Sequence, residues 1–265
     1  MNHTVIVIPC YNEAARLDQS KILPFLQNHP EIFLLFVDDG STDQTGRLLH
    51  TLKNEHPAQI GILILSQNQG KAEAVRQGIL KALEMKGAYV GFFDADLSTP
   101  LKAIADFTAL LDRYPADAVI GARVKLLGRA IDRKKSRHYL GRIFATLASM
   151  ILELPVYDTQ CGAKIFRNSP DLKAMFSIPF RVAWSFDIEI LARFKIVAAY
   201  RKGPGAQTAI IEHPLDEWIH KDGSKVKALD FFLAPLELLT LFSILHLPWV
   251  SHRYRKRLLE KLPRA

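Results

Sequence analysis

Cysteine is almost missing from this chain: Cys10 and Cys161 are the two it has in 265 residues. So few, so far apart, exclude a disulfide scaffold and a CxxC metal knuckle, and favour a reducing, cytosolic setting. The nine histidines show no HxxxH or comparable spacing, which argues against zinc. No internal repeat or low-complexity segment is visible, and 49% apolar with 23% charged residues is not the composition of a disordered chain. The apolar run at residues 5–8 stops at Pro9, too short to read as a signal peptide. An uninterrupted long apolar run is also missing. Residues 231–250 nominally suffice to cross a bilayer, but they contain Glu237 and His246, with Pro235 and Pro248 near the ends. A carboxylate is costly inside hydrocarbon.

What is present begins with charge. The formal net charge of +8 suits an anionic partner: nucleic acid, phospholipid or a phosphorylated substrate. No nucleic-acid module is recognisable and the basic residues concentrate late in the chain, so nucleic acid is set aside.

Short apolar runs at residues 5–8, 32–37, 62–65, 89–93 and 118–120 read as buried strands, because they lack the alternation of half-exposed ones. Between them, residues 72–85 and 101–113 have helical spacing. Strand and helix in alternation predict an α/β fold with a mostly parallel sheet covered by helices on both faces. Thr99 and Pro100 predict the start of a helix, through a capping hydroxyl and a proline in the first turn.

Ligands of open α/β sheets bind beyond the carboxyl ends of the strands. Those ends here read Pro9-Cys-Tyr-Asn-Glu13, Asp38-Asp-Gly-Ser-Thr-Asp43, Asn68-Gln-Gly-Lys71 and Asp94-Ala-Asp96. Any one of them reads equally well as a capped helix start, and Asp43 is placed for that. Four on one edge ask for more, since capping does not need paired carboxylates. Asp94 and Asp96 can converge on one hard cation, Mg²⁺ or Mn²⁺, and Ala95 is small enough for a ligand to lie close.

On these residues the chain resembles the inverting family 2 glycosyltransferases, which have the GT-A fold, a Rossmann-like, mostly parallel sheet. The matching motifs are Val7-Ile-Pro-Cys-Tyr-Asn-Glu13, Val37-Asp-Asp-Gly-Ser-Thr-Asp43, Asn68-Gln-Gly-Lys71 and Asp94-Ala-Asp-Leu97. Within the family it is most similar to the dolichyl-phosphate and polyprenyl-phosphate glucosyltransferases and mannosyltransferases. The supporting motifs are Gly121-Ala-Arg123, Ser136-Arg-His-Tyr-Leu-Gly-Arg142, Asp158-Thr-Gln-Cys-Gly162, Trp184-Ser-Phe-Asp-Ile-Glu189 and Trp218 through Lys225. The resemblance implies a nucleotide-sugar donor, with UDP-glucose favoured. Pro9, Tyr11, Glu13, Val37 and Asp39 would line the base and ribose pocket, with Asp39 accepting from the uracil ring. Lys71 would sit near the base or diphosphate, Asp94 and Ala95 by the nucleotide, and Asp96 would be the principal ligand of Mg²⁺ or Mn²⁺, with Asp94 beside it. Ser98 departs from the Gln of mannosyl relatives. Arg123, Arg137, Arg142 and Lys225 match the positions that hold the acceptor phosphate. Such an acceptor is already an anion and needs no general base; it needs cations to bring it to an anionic donor. A solvated basic loop is the plain alternative for that stretch.

Asp187 and Glu189 read either as groups that orient sugar hydroxyls or, for Glu189, as a helix-surface acid. Cys161 reads as packing. The expected organisation is a catalytic domain over residues 1–227 and an apolar, basic, membrane-associating segment over 228–265. That segment predicts an interfacial helix on the cytoplasmic leaflet, drawn by the arginines and lysines after residue 250; a helix folded back onto the domain is the alternative. Three functions compete. A glycosyltransferase with a polyprenyl-phosphate acceptor explains donor motifs, arginines and tail together. One with a hydroxyl acceptor leaves the arginines idle, and a non-enzymatic adaptor leaves the intact acid pair idle.

Overall fold

The computed structural model describes residues 3–132, 135–202, 205–221 and 228–263, with side chains outside 135–140 and 228–232. Along the first part of the chain run β1 (Thr4–Cys10), α1 (Gln19–Asn28), β2 (Ile32–Asp38), α2 (Thr45–Glu55), β3 (Ile60–Ile64), α3 (Lys71–Glu84), β4 (Tyr89–Phe93), α4 (Ala103–Arg113) and β5 (Ala118–Ala122). After these come β6 (Ala130–Ile131), α5 (Lys135–Leu152), β7 (Ala163–Arg167), α6 (Pro170–Ser177), α7 (Phe186–Arg201), α8 (Ala206–Ala209), β8 (Ile210–Pro214), β9 (Glu217–Trp218), α9 (Ala228–His246) and α10 (Pro248–Leu259).

The main sheet has the order β3-β2-β1-β4-β7-β5-β8. Pairing is parallel from β3 through β4, and β7 runs antiparallel to β4. This is the α/β fold expected, with each of the five expected strands present. The antiparallel β7 was not foreseen, because its Ala-Lys-Ile-Phe-Arg has no distinguishing pattern; Lys164 is wholly buried in it.

The chain divides into two compact units, residues 1–119 with 162–168, and residues 120–161 with 169–265. In the first, β1, β2 and β4 are almost continuously apolar and buried, as strands covered on both faces must be. Helix α3 lies close on β1 and β2 because Gly78 faces them; a Cβ there would come within 2.3 Å of Val7. The parallel register aligns the strand ends, placing Pro9 beside Val37 and Cys10 beside Asp38. The helix expected to begin at Thr99 and Pro100 starts later, at Ala103, with no side-chain cap.

The second unit is mainly helical. The apolar segment at 231–250 is not one helix: α9 ends at His246, and the α9–α10 axis bends by 79° at the break before Pro248. Pro248 fills the first turn of α10, where a missing N–H costs nothing. No single described helix is long and apolar enough to cross a membrane. The carboxylate of Glu237, so awkward in sequence, accepts the backbone N–H groups of Ala183, Trp184 and Ser185 and the Ser185 hydroxyl, at 2.6–3.0 Å. Four charge-assisted bonds repay its desolvation, and α9 packs on α5 and α7.

Candidate functional site

The strand ends of the first unit carry an acid-rich edge. Asp39 follows β2 and is 2% exposed. Its Oδ1 accepts from Gln69 N at 2.8 Å and its Oδ2 from Gly70 N at 2.9 Å, which ties the turn before α3 to the end of β2. Burial raises its carboxyl above the ordinary value; the two N–H groups pull it down, and Asp38 and Glu73 push it up. Asn12 supports the same edge in a left-handed conformation, φ 50°, and its Oδ1 accepts from the N–H groups of Thr42 and Asp43. Glu13 is buried, and its N–H donates to Thr45 Oγ1 at 2.7 Å. Asp43 is not the cap its position suggested: the N-cap of α2 is Gln44, with no side-chain cap, and Asp43, one residue before it, accepts from Thr45 N and from Ala14 N.

Pro9 and Tyr11 are half-buried beside these groups in sequence, whereas Val37 is fully enclosed. A Cβ at Gly78 would lie 2.8 Å from the Val37 side chain, so Val37 offers a ligand only its main chain.

Asp94 and Asp96 leave β4 around the buried Ala95. Asp94 N donates to Gly162 O at 3.0 Å, and the Asp94 carboxylate lies so tightly over Gly162 that a Cβ there would be 2.0 Å from Oδ2. Only glycine leaves that space, which gives the Gln160-Cys-Gly162 motif a physical role. Lys71 Nζ lies 2.6 Å from Asp94 Oδ1, although no donor is aligned on that buried oxygen among the described residues. Asp96 Oδ1 accepts from Ser98 N at 2.9 Å, and Arg16 Nη2 donates to its Oδ2 at 2.9 Å. Leu97, between them, has φ 51°, a conformation a bulky residue adopts only under constraint.

These residues fit a divalent cation of the hard kind. Two carboxylates flank a small residue, one held in a cradle that any Cβ would fill, while Lys71 and Arg16 balance their charge. Among the described residues no third His, Cys, Asp or Glu completes a protein-only cage. The donor set therefore suits an ion that draws its other ligands from water and phosphate oxygens.

The second unit holds the arginines. Arg123 follows β5 and grips Asp158 through both carboxylate oxygens, Nε to Oδ2 at 2.7 Å and Nη2 to Oδ1 at 2.8 Å. Arg142, on α5, donates to Tyr157 O at 2.9 Å, with its guanidinium 3.6 Å from the Tyr157 ring centre. Both thus attach to one dipeptide, Tyr157-Asp158. Glu212 on β8 anchors that dipeptide, accepting Tyr157 N at 2.8 Å and Asp158 N at 2.6 Å. Burial raises the Glu212 carboxyl above its usual range, against the pull of those two donors. Trp218 lies under Arg123, ring centre 5.5 Å from the guanidinium carbon. Arg137 belongs to α5 by its backbone, and its side chain lies outside the described residues, as does all of Lys225.

Glu189 is not a surface acid. It is wholly buried, ion-paired with Arg193 at 2.7 Å, and accepts from Arg181 N and the Tyr254 hydroxyl. That makes it a structural tie between α7 and α10. Asp187, in the first turn of α7, is buried too. Reading the sequence missed Arg16, Glu212 and the pairing of Asp158 with Arg123. Arg16 had a faint signal, standing three residues after Glu13; Glu212 had none.

A mostly parallel sheet ending in an acid pair, with basic groups against it, is the arrangement expected of a GT-A glycosyltransferase. The model of glycosyl transferase family 2 matches residues 5–174, and the chain belongs to that family. Among curated relatives, the dolichyl-phosphate beta-glucosyltransferase of Dictyostelium discoideum is 30% identical over 247 residues, covering 88% of this chain and 70% of that protein. The enzyme of the same name from Saccharomyces cerevisiae is 33% identical, covering 83% and 68%. A polyprenol monophosphomannose synthase of Mycolicibacterium smegmatis is 26% identical over 72% of this chain and 71% of its own. Among solved structures, glucosyl-3-phosphoglycerate synthase of Mycobacterium tuberculosis, with Mn²⁺, UDP-glucose and phosphoglyceric acid, superposes with a TM-score of 0.62. It is 17% identical and covers all of this chain and 82% of its own, so it speaks for the fold.

Proposed function

We propose that this glycosyltransferase moves glucose from UDP-glucose to a polyprenyl or dolichyl phosphate, with inversion and with Mg²⁺ or Mn²⁺, at the cytoplasmic face of a membrane. The observation that carries the acceptor is the arginine pair. Arg123 and Arg142 are 19 positions apart in sequence, yet both attach to Tyr157-Asp158, and a solvated loop would not be anchored through Glu212. The names of the relatives agree with a lipid-phosphate acceptor.

In this reading Asp94 and Asp96 hold the cation, which when bound neutralises the leaving diphosphate. Asp39 and the Gln69–Gly70 turn receive the base, with Pro9, Tyr11, Glu13 and the Val37 main chain around it, and Lys71 faces the diphosphate. Arg123, Arg142, Arg137 and Lys225 bind the acceptor phosphate. Planar guanidinium forks suit a phosphate and screen it as it approaches an anionic donor. The acceptor oxygen is already ionised, so no side chain has to remove a proton.

Residues 228–265 serve as the membrane-associating segment, set apart in role from the catalytic residues 1–227. Helix α5 exposes Ile143, Leu147 and Met150 at helical spacing, α9 exposes Leu236 and Leu239, and Trp249 is 89% exposed. Exposed Arg253, Arg255, Lys256 and Arg257 on α10 add attraction for anionic headgroups. Surfaces this apolar need a partner.

The test is to incubate the purified enzyme with UDP-glucose or GDP-mannose and a short polyprenyl phosphate in anionic vesicles, and to follow nucleotide release. UDP release that requires the lipid phosphate and stops with EDTA is expected. Transfer to hydroxyl acceptors alone would replace this acceptor, and full activity in excess EDTA would remove the metal.

A further inference from the structure

Arg16 has no part in the donor reading, yet it touches the residue on which that reading depends. It sits in the turn after β1, where Glu13 O accepts the N–H groups of Arg16 and Leu17 at 2.9 Å. From there Nη2 reaches Asp96 Oδ2 at 2.9 Å, and Nη1 lies 3.4 Å from Glu13 Oε2. The side chain is 19% exposed, so solvent screens the pair only in part. Its Nε is buried and finds no acceptor among the described residues. A buried donor left without an acceptor asks for a ligand or a change of state.

We propose that Arg16 is the resident countercharge of Asp96 and couples cation binding to diphosphate binding; the inference rests on Asp94 and Asp96 being the metal-ligating pair. A guanidinium 2.9 Å from one oxygen of Asp96 neutralises that carboxylate and repels a dication brought to it. Free metal therefore binds poorly. A nucleoside diphosphate changes the balance, because its negative charges attract both the cation and Arg16. The donor thus relieves a repulsion that the metal alone meets, and by linkage the metal strengthens the donor by the same factor. Lys71, 2.6 Å from Asp94 Oδ1, cannot substitute, since it faces the other carboxylate.

The test reads metal binding rather than turnover. Free Mn²⁺ is followed by its EPR signal during titration of the wild type, Arg16→Gln and Arg16→Lys, each with and without UDP. Arg16→Gln is expected to bind Mn²⁺ alone about tenfold more tightly than the wild type, the order of effect for one partly screened charge. UDP should then raise its Mn²⁺ affinity by a smaller factor than in the wild type. Arg16→Lys, which keeps the charge, should stay near the wild type in both. Arg16→Met is a second neutral variant should Arg16→Gln fail to fold, as judged by thermal unfolding. Neutral variants that bind Mn²⁺ no more tightly than the wild type, or with the same gain from UDP, overturn the proposal while leaving the donor site standing. A wild type that binds neither Mn²⁺ nor UDP overturns the donor site and this coupling with it.

Discussion

The two compact units position their charged groups by different means. In residues 1–119 with 162–168, the acids stand one or two places beyond buried strands, and the parallel register of β1 with β2 and β4 brings them to one edge. Their backbone positions follow from the sheet, and side chains such as Arg16 and Lys71 only balance their charge. In the other unit Arg123 also stands one place beyond a buried strand, β5, but its guanidinium is held by side chains from elsewhere in the chain. Arg123 owes its orientation to Asp158, 35 residues away, and Asp158 owes its own to Glu212, 54 residues further. A sheet edge is robust to the loss of one side chain, whereas a chain of side-chain bonds fails at any link.

The most severe way to break the first region is to remove a proposed cation ligand. Asp96→Ala should lower transfer about a thousandfold or more, with the thermal midpoint little changed because β4 is untouched. Near-normal transfer would remove Asp96 from the chemistry.

Next comes a change that adds atoms. In Gly162→Ala the new Cβ would meet the Asp94 carboxylate at 2.0 Å and push it aside. Misplacement on that scale costs about a hundredfold in rate. UDP and Mn²⁺ binding, measured by calorimetry, should weaken together. Unchanged binding would mean that Asp94 is not needed where it lies.

The comparison sharpens with Arg123→Ala in the second unit. Loss of one charge-assisted contact of about 2–3 kcal/mol predicts a tens- to hundreds-fold fall in transfer to polyprenyl phosphate. UDP affinity should hold, because the residues proposed to bind the donor belong to the other unit. Arg123→Lys should recover only part, as it keeps charge without the fork. A fall in UDP affinity as large as the fall in transfer would dissolve the distinction between the regions.

The smallest effect is expected from Asp39→Ala. It leaves the Gln69 and Gly70 N–H groups without their acceptor, and UDP binding should weaken by about 1–3 kcal/mol. Calorimetry showing unaltered UDP affinity would move the base pocket away from β2.

The acid-rich edge was legible because strand ends announce themselves: an apolar run stops, and whatever follows it lies at the carboxyl edge of a parallel sheet. Asp39, Asp94, Asp96 and Lys71 were all readable in that way. The α/β class followed from the same runs, although β7 did not, since direction in a sheet is decided by pairing and not by composition. Helix ends were less legible. Thr99 and Pro100 had the right chemistry for a start, yet the chain makes a turn there first and α4 begins at Ala103.

The nature of these groups was settled by sequence alone: which residues are acidic, which apolar runs must be buried, and that two carboxylates flank a small residue. Partnership was decided by the tertiary structure. Glu237 reads as an obstacle inside an apolar helix until three backbone N–H groups meet it. Glu189 reads either as a group that orients sugar hydroxyls or as a surface acid until Arg193 and Tyr254 enclose it. Arg16 reads as one of many basic residues until its guanidinium reaches Asp96, 80 positions on. Charge and burial preference are properties of a residue, but the energy of a charge depends on what lies within a few ångströms, and only folding brings distant residues that close.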